Sequence, residues 1–398
     1  MRRVAIFSTT RADFGYFMPL IKEIDKCPNM EYLLFVGGAH LAREHGYTVD
    51  EIKENSFKIA GTFDYLFNED TGFSLAMGAG ISTIELAHIF NNNTIDYVCV
   101  LGDRYELIPI ILNAILFKRI IVHLGGGSRT EGIIDEQIRH MISKASHLHF
   151  VNCKEHATNV KNMGEPEWRI FNVGSTAVDN ILNNKKYSKK EIFRYLKLDV
   201  NKKTVLMTYH PVTLEFNISP EKQIKNVFDA LDCYGFQVVV TSPNIEVERN
   251  IISDYILKRI SKKRNYCFVD SLGVIKYHSL IPCCEFVIGN SSSGIMEVPY
   301  FKIPTVNVGD RQEGRVRHIS VIDTGYDTES IKNSINKAIS NKFKNRLKPM
   351  KYKFGEGDSA KKIVNTLIKT EVNEKLFRKK LDIPEDLPGR VKSSKLRT

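Results

Sequence analysis

The sequence predicts an α/β protein built from two Rossmann-like, doubly wound halves that face each other across a cleft. Short Val/Ile-rich runs alternate with longer amphipathic stretches along most of the chain, as in a parallel sheet with helices on both faces. The 398 residues exceed what one core usually organises, so two domains are expected. Polar segments recur directly after the apolar runs, at the strand ends where open α/β sheets form their ligand crevice. The divisions expected are 1–183, 184–369 and a basic tail at 370–398.

In the first half, Arg3 to Ser8 reads as a strand running into TTRADFGYFMPLIKEI, where Phe17, Leu20, Ile21 and Ile24 fall at helical spacing. Arg11 and Asp13 stand at that strand-to-helix turn, and YLLFVGG then leads to His40. A helix is expected over about Phe73 to Phe90, and strands at Tyr97 to Leu101 and Ile120 to Leu124. The first of these strands ends in GDRYE, which brings Asp103 and Arg104 to the crevice edge. The second carries His123 and ends in Gly125, Gly126, Gly127 and Ser128, a backbone that something approaches closely. In TEGIIDEQIRH, Asp135 with Arg139 and Glu136 with His140 are i, i+4 pairs on a helix. NNKKYSKKE is the linker expected between the halves.

The second half starts at Thr204, and VLMTYHP brings His210 to a strand end. QVVVTSPN ends at Asn244, and IKYHSL carries His278. The segment that organises this half is VIGNSSSGIMEVP. Its apolar residues read as the end of a buried strand, and Asn290, Ser291, Ser292, Ser293 and Gly294 as a small-residue loop. From Ile295 onward a helix is expected, with Glu297 on its first turn. Backbone N–H groups at such a turn suit a phosphate or diphosphate. Glu297 would then accept hydrogen bonds from ribose hydroxyls. PTVNVGDRQEGR supplies Arg311 and Arg315 to the same side.

Composition narrows the classes. Hydrophobic residues at 42% and charged residues at 26% are the balance of a globular chain. No signal segment is expected, and no segment is expected to approach a membrane span in length. The net charge of +11 suits an anionic substrate. It is not arranged as a basic stripe with interleaved aromatics, so nucleic acid is not the expected partner. Seven cysteines, an odd number and scattered, read as buried thiols of a reducing cytoplasm rather than a disulfide framework or a metal site.

Taken together and in order, TTRADFGY, GDRYE, the DE..RH helix, TYHPVTLE, GNSSSGIMEVP and GDRQEGR resemble the hydrolysing UDP-N-acetylglucosamine 2-epimerases of bacterial sialic-acid-type sugar synthesis, over about residues 3 to 340. The resemblance implies a glycosyltransferase-B-like fold, a UDP-sugar in the cleft, release of N-acetylmannosamine and UDP, no cofactor or metal, and a homodimer or homotetramer. It implies that Asp103 and Asp135 are the catalytic acids, with Glu136 an adjacent candidate, and that His210 meets the departing diphosphate. Arg11, Ser291, Ser292 and Gly294 would hold phosphates, and Glu297 the ribose. Asp13, His40, Arg104, His123, Asn244, His278, Asn290, Ser293, Arg311 and Arg315 are the further residues expected around the substrate.

The chain departs from the family at HLGGGS, where Gly125 and Ser128 occupy positions at which many members carry a glutamate. Three readings stand: Glu131 substitutes, His123 takes a role, or catalysis is impaired. Enzymes acting on UDP- or GDP-linked diacetamido-trideoxy sugars share the same motifs. A glycosyltransferase of the same fold and a nucleotide-sugar-binding protein with weakened catalysis are the other classes.

Overall fold

The computed structural model describes residues 1–43, 47–67, 71–243, 248–261 and 263–380, without the side chains of Arg11, Ala12 and Glu51. The first half is built on seven parallel strands: β1 (Arg2–Ser8), β2 (Met30–Gly37), β3 (Ile59–Phe63), β4 (Tyr97–Leu101), β5 (Ile120–Leu124), β6 (Leu148–Val151) and β7 (Ile170–Asn172). The second is built on six: β8 (Thr204–Thr208), β9 (Gln237–Thr241), β10 (Tyr266–Val269), β11 (Val287–Gly289), β12 (Thr305–Val308) and β13 (Val321–Thr324).

The strand orders are β3-β2-β1-β4-β5-β6-β7 and β10-β9-β8-β11-β12-β13. Each sheet therefore reverses direction beside a central strand, at β1/β4 and at β8/β11, and loops at such a switch point splay apart to leave a crevice. The central strands are buried on both faces, which is why VAIF of β1 and VLM of β8 read as unbroken apolar runs. Register sets which loops meet. Val4 pairs with Tyr97, so the turn after β1 lies beside the Asp103 loop. Leu101 pairs with Leu124, which sets the Asp103 loop beside the glycine loop. Thr208 pairs with Gly289, which sets His210 beside the serine loop. Gly289 has φ +133°, and a Cβ there would lie 1.8 Å from the Thr208 carbonyl oxygen, so only glycine lets the two strands pass.

Several expectations change. The helix after the serine loop is a single turn, Ser293–Met296, and Glu297 stands at its C-terminal end rather than in its first turn. Pro299 ends it by converting the chain into the short 3-10 segment Val298–Phe301. The helix Gly72–Asn92 is long and apolar enough to cross a membrane by length and composition alone, contrary to expectation. Its hydropathy comes from Phe, Leu, Met, Ala and Ile residues that Gly, Ser and Thr interrupt, so it forms no long continuous apolar run. It buries Ser74, Gly78, Ser82, Leu86 and Phe90, with Gly78 against Tyr65 and Leu86 and Phe90 in the core, while Phe73, Met77, Ile81 and Ile84 face outward. Finally, the cysteines are not uniformly buried: Cys99, Cys153 and Cys284 are, whereas Cys233 is exposed.

The helix Ser359–Lys369, grouped above with the second half, returns to the first. Ile363, Val364 and Leu367 join the core formed by Phe17, Leu20, Ile21 and Ile24. Asp179 caps its start, accepting from the N–H groups of Ser359 (3.2 Å) and Ala360 (3.0 Å). Beyond it, the guanidinium of Arg169 holds the carbonyls of Lys375, Leu376 and Arg378. Residues 381–398 of the expected tail lie outside the described residues.

Candidate active site

A pocket opens between the two sets of strand ends. From the first half it is lined by Phe14, Gly15, Tyr16 and Asn180, and from the second by His210, Tyr277, His278, Ser291, Ser292, Ser293 and Glu297. The N–H groups of Gly294, Ile295 and Met296 are spent on the turn itself, bonded to the carbonyls of Ser291 and Ser292. Among the described residues, the turn's own bonds do not use those of Ser291 and Ser292. These two N–H groups, with the three serine hydroxyls, are what the loop can offer an anion. A four-residue helix adds little macrodipole, so the local donors matter most.

Glu297 is clamped from two sides. Its Oε2 lies 2.6 Å from His278 Nε2, and its Oε1 accepts a 3.1 Å hydrogen bond from the Tyr16 hydroxyl of the opposite half. Asn290 is fully buried. Its side-chain amide closes a reciprocal pair with the His210 backbone, Nδ2 to the carbonyl (2.8 Å) and Oδ1 from the N–H (2.7 Å). Arg311 is buried, donating from Nε to the Pro211 carbonyl at 3.1 Å. Both residues thus pin the His210 loop to the serine loop.

The acidic residues form a second cluster beside this pocket. Asp103, one-fifth exposed, is bonded by the buried guanidinium of Arg139, and Arg315 Nη2 lies 4.0 Å away. Burial pushes the Asp103 carboxyl up, but Arg139, Arg315 and Arg104 outweigh it and hold it below the usual carboxylate range. Burial and the neighbouring Arg139 pull Arg315 down to about 10. Arg315 also senses Tyr16, which links the cluster to the pocket.

Glu136 is engaged within the first half. It accepts from the Thr130 N–H (2.5 Å), from Arg139 Nη1 (2.5 Å) and lies 3.0 Å from His140 Nε2. It therefore holds the loop after β5 in place, with Arg139 also donating to the Ser128 carbonyl (3.0 Å). The Glu136–His140 pair has its expected spacing, and Arg139 adds a shorter-range partner at i+3. Asp135 is half-buried at the start of the helix Asp135–Ala145 and acts on Arg139 electrostatically.

The structure places the two residues offered for HLGGGS. Glu131 pairs with Arg129 at an exposed edge of the seam between halves, beside Gly314. His123 is fully buried, with Nε2 2.8 Å from the Gly102 carbonyl and Nδ1 3.2 Å from Ser143 Oγ. Burial pushes it down to about 3, so it is neutral, donating from Nε2 and bracing the Asp103 loop from behind. In place of a family glutamate, the Ser128 hydroxyl accepts from Arg315 Nη1 at 3.3 Å.

Asp13 and His40 lie beneath the pocket. Asp13 caps the first helix, accepting from the N–H groups of Thr9 (3.0 Å) and Thr10 (3.1 Å). His40 is buried between the hydroxyls of Ser8 (2.9 Å) and Thr48 (2.7 Å). Arg104 turns onto the buried Glu106 (2.6 Å). Arg11 is in the first turn of the helix Arg11–Asp25, its side chain outside the described set, and Asn244 lies outside the described residues. Tyr16, Tyr277 and Arg139 were not anticipated as site residues. Only DE..RH, with its arginine at i+3 from Glu136, carried a signal. Among the described residues no group of three His, Cys, Asp or Glu side chains converges as a metal centre would need.

Two facing parallel-sheet halves with the site between them define a glycosyltransferase-B-like fold. A solved UDP-GlcNAc 2-epimerase from Neisseria meningitidis, bound to UDP-GlcNAc, shares it with a TM-score of 0.79 at 18% identity, over 93% of this chain and all of that one (100%). The chain matches the model of the UDP-N-acetylglucosamine 2-epimerase family over residues 22–368, and it belongs to that family. It is 36% identical over 371 residues to a hydrolysing GDP/UDP-N,N'-diacetylbacillosamine 2-epimerase of Campylobacter jejuni, covering 92% of this chain and 95% of the relative. It is 31% identical over 341 residues to a UDP-N-acetylglucosamine 2-epimerase of Neisseria meningitidis, covering 85% and 88%.

Proposed function

We propose that the protein is a hydrolysing 2-epimerase of a UDP-linked 2-acetamido sugar. The observation that carries this is the ionised Asp103 beside Arg139 and Arg315, next to a pocket bearing the serine loop and Glu297. The nucleotide lies in the pocket, with the diphosphate on Ser291, Ser292 and His210 and the ribose on Glu297. The sugar extends toward Asp103.

Inverting C2 without a redox cofactor requires breaking its C–H bond. A base takes the C2 proton, the C1–O bond to the diphosphate breaks, and a C1=C2 glycal forms. Water then adds its hydroxyl to C1, and a proton returns to C2 from the opposite face, releasing UDP and the 2-epimeric free sugar. Asp103, kept as a carboxylate by its arginines, suits the base. Asp135 is the acid. Arg315 and His210 stabilise charge on the departing diphosphate. Glu136 positions rather than reacts, since its Oε2 already accepts from Thr130 and Arg139 and its Oε1 lies 3.0 Å from His140 Nε2.

For the sugar, the 36% identity to the Campylobacter jejuni relative favours UDP- or GDP-linked N,N'-diacetylbacillosamine. The 31% identity to the Neisseria meningitidis relative supports UDP-N-acetylglucosamine, yielding N-acetylmannosamine, as the second reading. The active form is a homodimer or homotetramer, supported by the outward apolar face of the helix Gly72–Asn92. The test is proton NMR of each nucleotide sugar with the protein in deuterated water. Free UDP with a 2-epimeric sugar deuterated at C2 is the expected result, from the diacetamido substrate first. UDP release without deuterium at C2 overturns the mechanism, and binding of both sugars without turnover returns the chain to the class of binding proteins.

A further inference from the structure

We infer that Tyr16 is a positioning residue for nucleotide binding, which presents the Glu297 carboxylate to the ribose from the opposite half and so ties nucleotide affinity to closure of the cleft. This rests on the reading of the pocket as a nucleotide site. The hydroxyl of Tyr16 is 281 residues from Glu297 in sequence and donates to its Oε1 at 3.1 Å. The other oxygen, Oε2, is held by His278 from the second half at 2.6 Å. Neither hold suffices alone to fix the carboxylate, because one oxygen anchored at the end of a short helix leaves the group free to rotate.

The direction of the bond is set. A carboxylate can only accept, and burial together with the adjacent Glu297 pushes the Tyr16 phenol well above its ordinary range, so it stays a donor. Each carboxylate oxygen keeps a second lone pair, which is what a ribose hydroxyl needs.

The backbone beside Tyr16 is shaped for this contact. A Cβ on Gly15 would lie 2.6 Å from Val274 Cγ2, so glycine lets the first helix approach the helix Gly273–Leu280 that carries His278. The Gly15 carbonyl is in turn bonded by the Asn180 amide, and the start of the helix is locked by the Asp13 cap. Tyr16 is therefore delivered to Glu297 only when the halves are closed, and an open cleft leaves Glu297 held by His278 alone.

The experiment is calorimetric binding of UDP and of 2′-deoxy-UDP to the wild-type protein, Tyr16→Phe and Glu297→Gln. Tyr16→Phe removes one oxygen and keeps the packing. It is expected to weaken UDP by about tenfold while leaving 2′-deoxy-UDP nearly unchanged, so that the preference for the ribose shrinks, as in Glu297→Gln. An unchanged ratio of the two affinities in Tyr16→Phe, with Glu297→Gln losing it, overturns the inference while leaving the nucleotide site intact. Wild-type protein that binds neither nucleotide removes the nucleotide reading and the inference with it.

Discussion

Arg139 reaches from the helix Asp135–Ala145 to the carboxylate of Asp103 at the end of β4, and with the same guanidinium holds Glu136, Thr130 and the Ser128 carbonyl. One buried cation thus ties Asp103 to the loop after β5 that carries Ser128. Asp103→Asn keeps the shape and removes the charge. It should lower C2 deuteration by at least about a hundredfold with UDP affinity unchanged. Near-normal turnover would exclude Asp103 as the base.

The same pair makes a prediction about pH. With Arg139 present, Asp103 stays charged to below the usual carboxylate range, so the acid limb of the rate profile owed to it lies below that range. Removing the cation leaves burial to dominate and raises the carboxyl. In Arg139→Met the acid limb should therefore move upward in pH, and in Arg139→Lys it should move less. A limb unmoved in Arg139→Met would mean that another group sets it.

His123 makes acid stability measurable. Its folded-state value is about 3 against an ordinary 6.5, so below 6.5 the unfolded chain takes up a proton that the folded protein refuses. The stabilisation is complete above about 6.5 and is lost as the pH falls from there toward about 3. At pH 5 the loss is about 2 kcal/mol. Thermal unfolding of His123→Gln should show a pH slope shallower by one proton between pH 6.5 and 4. An identical slope would contradict the buried neutral imidazole.

Gly132 reports on closure. A Cβ there would lie 2.5 Å from the Asp310 carbonyl oxygen across the seam, where the Glu131 N–H donates to the Glu313 carbonyl at 3.1 Å. Gly132→Ala should fold, since neither sheet is touched, yet hold the halves apart. Turnover should fall at least about tenfold, and the radius of gyration with UDP bound should exceed that of the wild type. Wild-type activity would show that the seam yields without cost.

The helices Gly72–Asn92 and Leu107–Leu116, packed on one another, expose Phe73, Met77, Ile84, Leu112, Ile115 and Leu116 to solvent, and exposed apolar faces of this kind often mark interfaces. Ile84→Glu combined with Leu116→Glu should reduce the proposed oligomer to a monomer in light scattering. An unchanged mass would place the interface elsewhere.

By itself the sequence determined the two sheets and where their ligand ends lie. Buried parallel strands such as β4 and β5 are short apolar runs bounded by Gly and polar residues, and such local patterns survive without knowledge of the fold. It also pointed to the serine loop, Glu297, His210 and Asp103, each next to a strand end or a turn. The contacts these residues make came only with the fold. Asp13, His40, His123 and Asn290 look like ligands in a linear reading, but they are consumed as caps and braces beneath the site. Tyr16 sits in a helix that any periodicity analysis would assign to packing, yet it meets Glu297 from 281 residues away. Hydrogen bonds and ion pairs depend on the positions of two groups in space. A sequence specifies each group, and their distance is set only when the chain has closed two sheets upon one another.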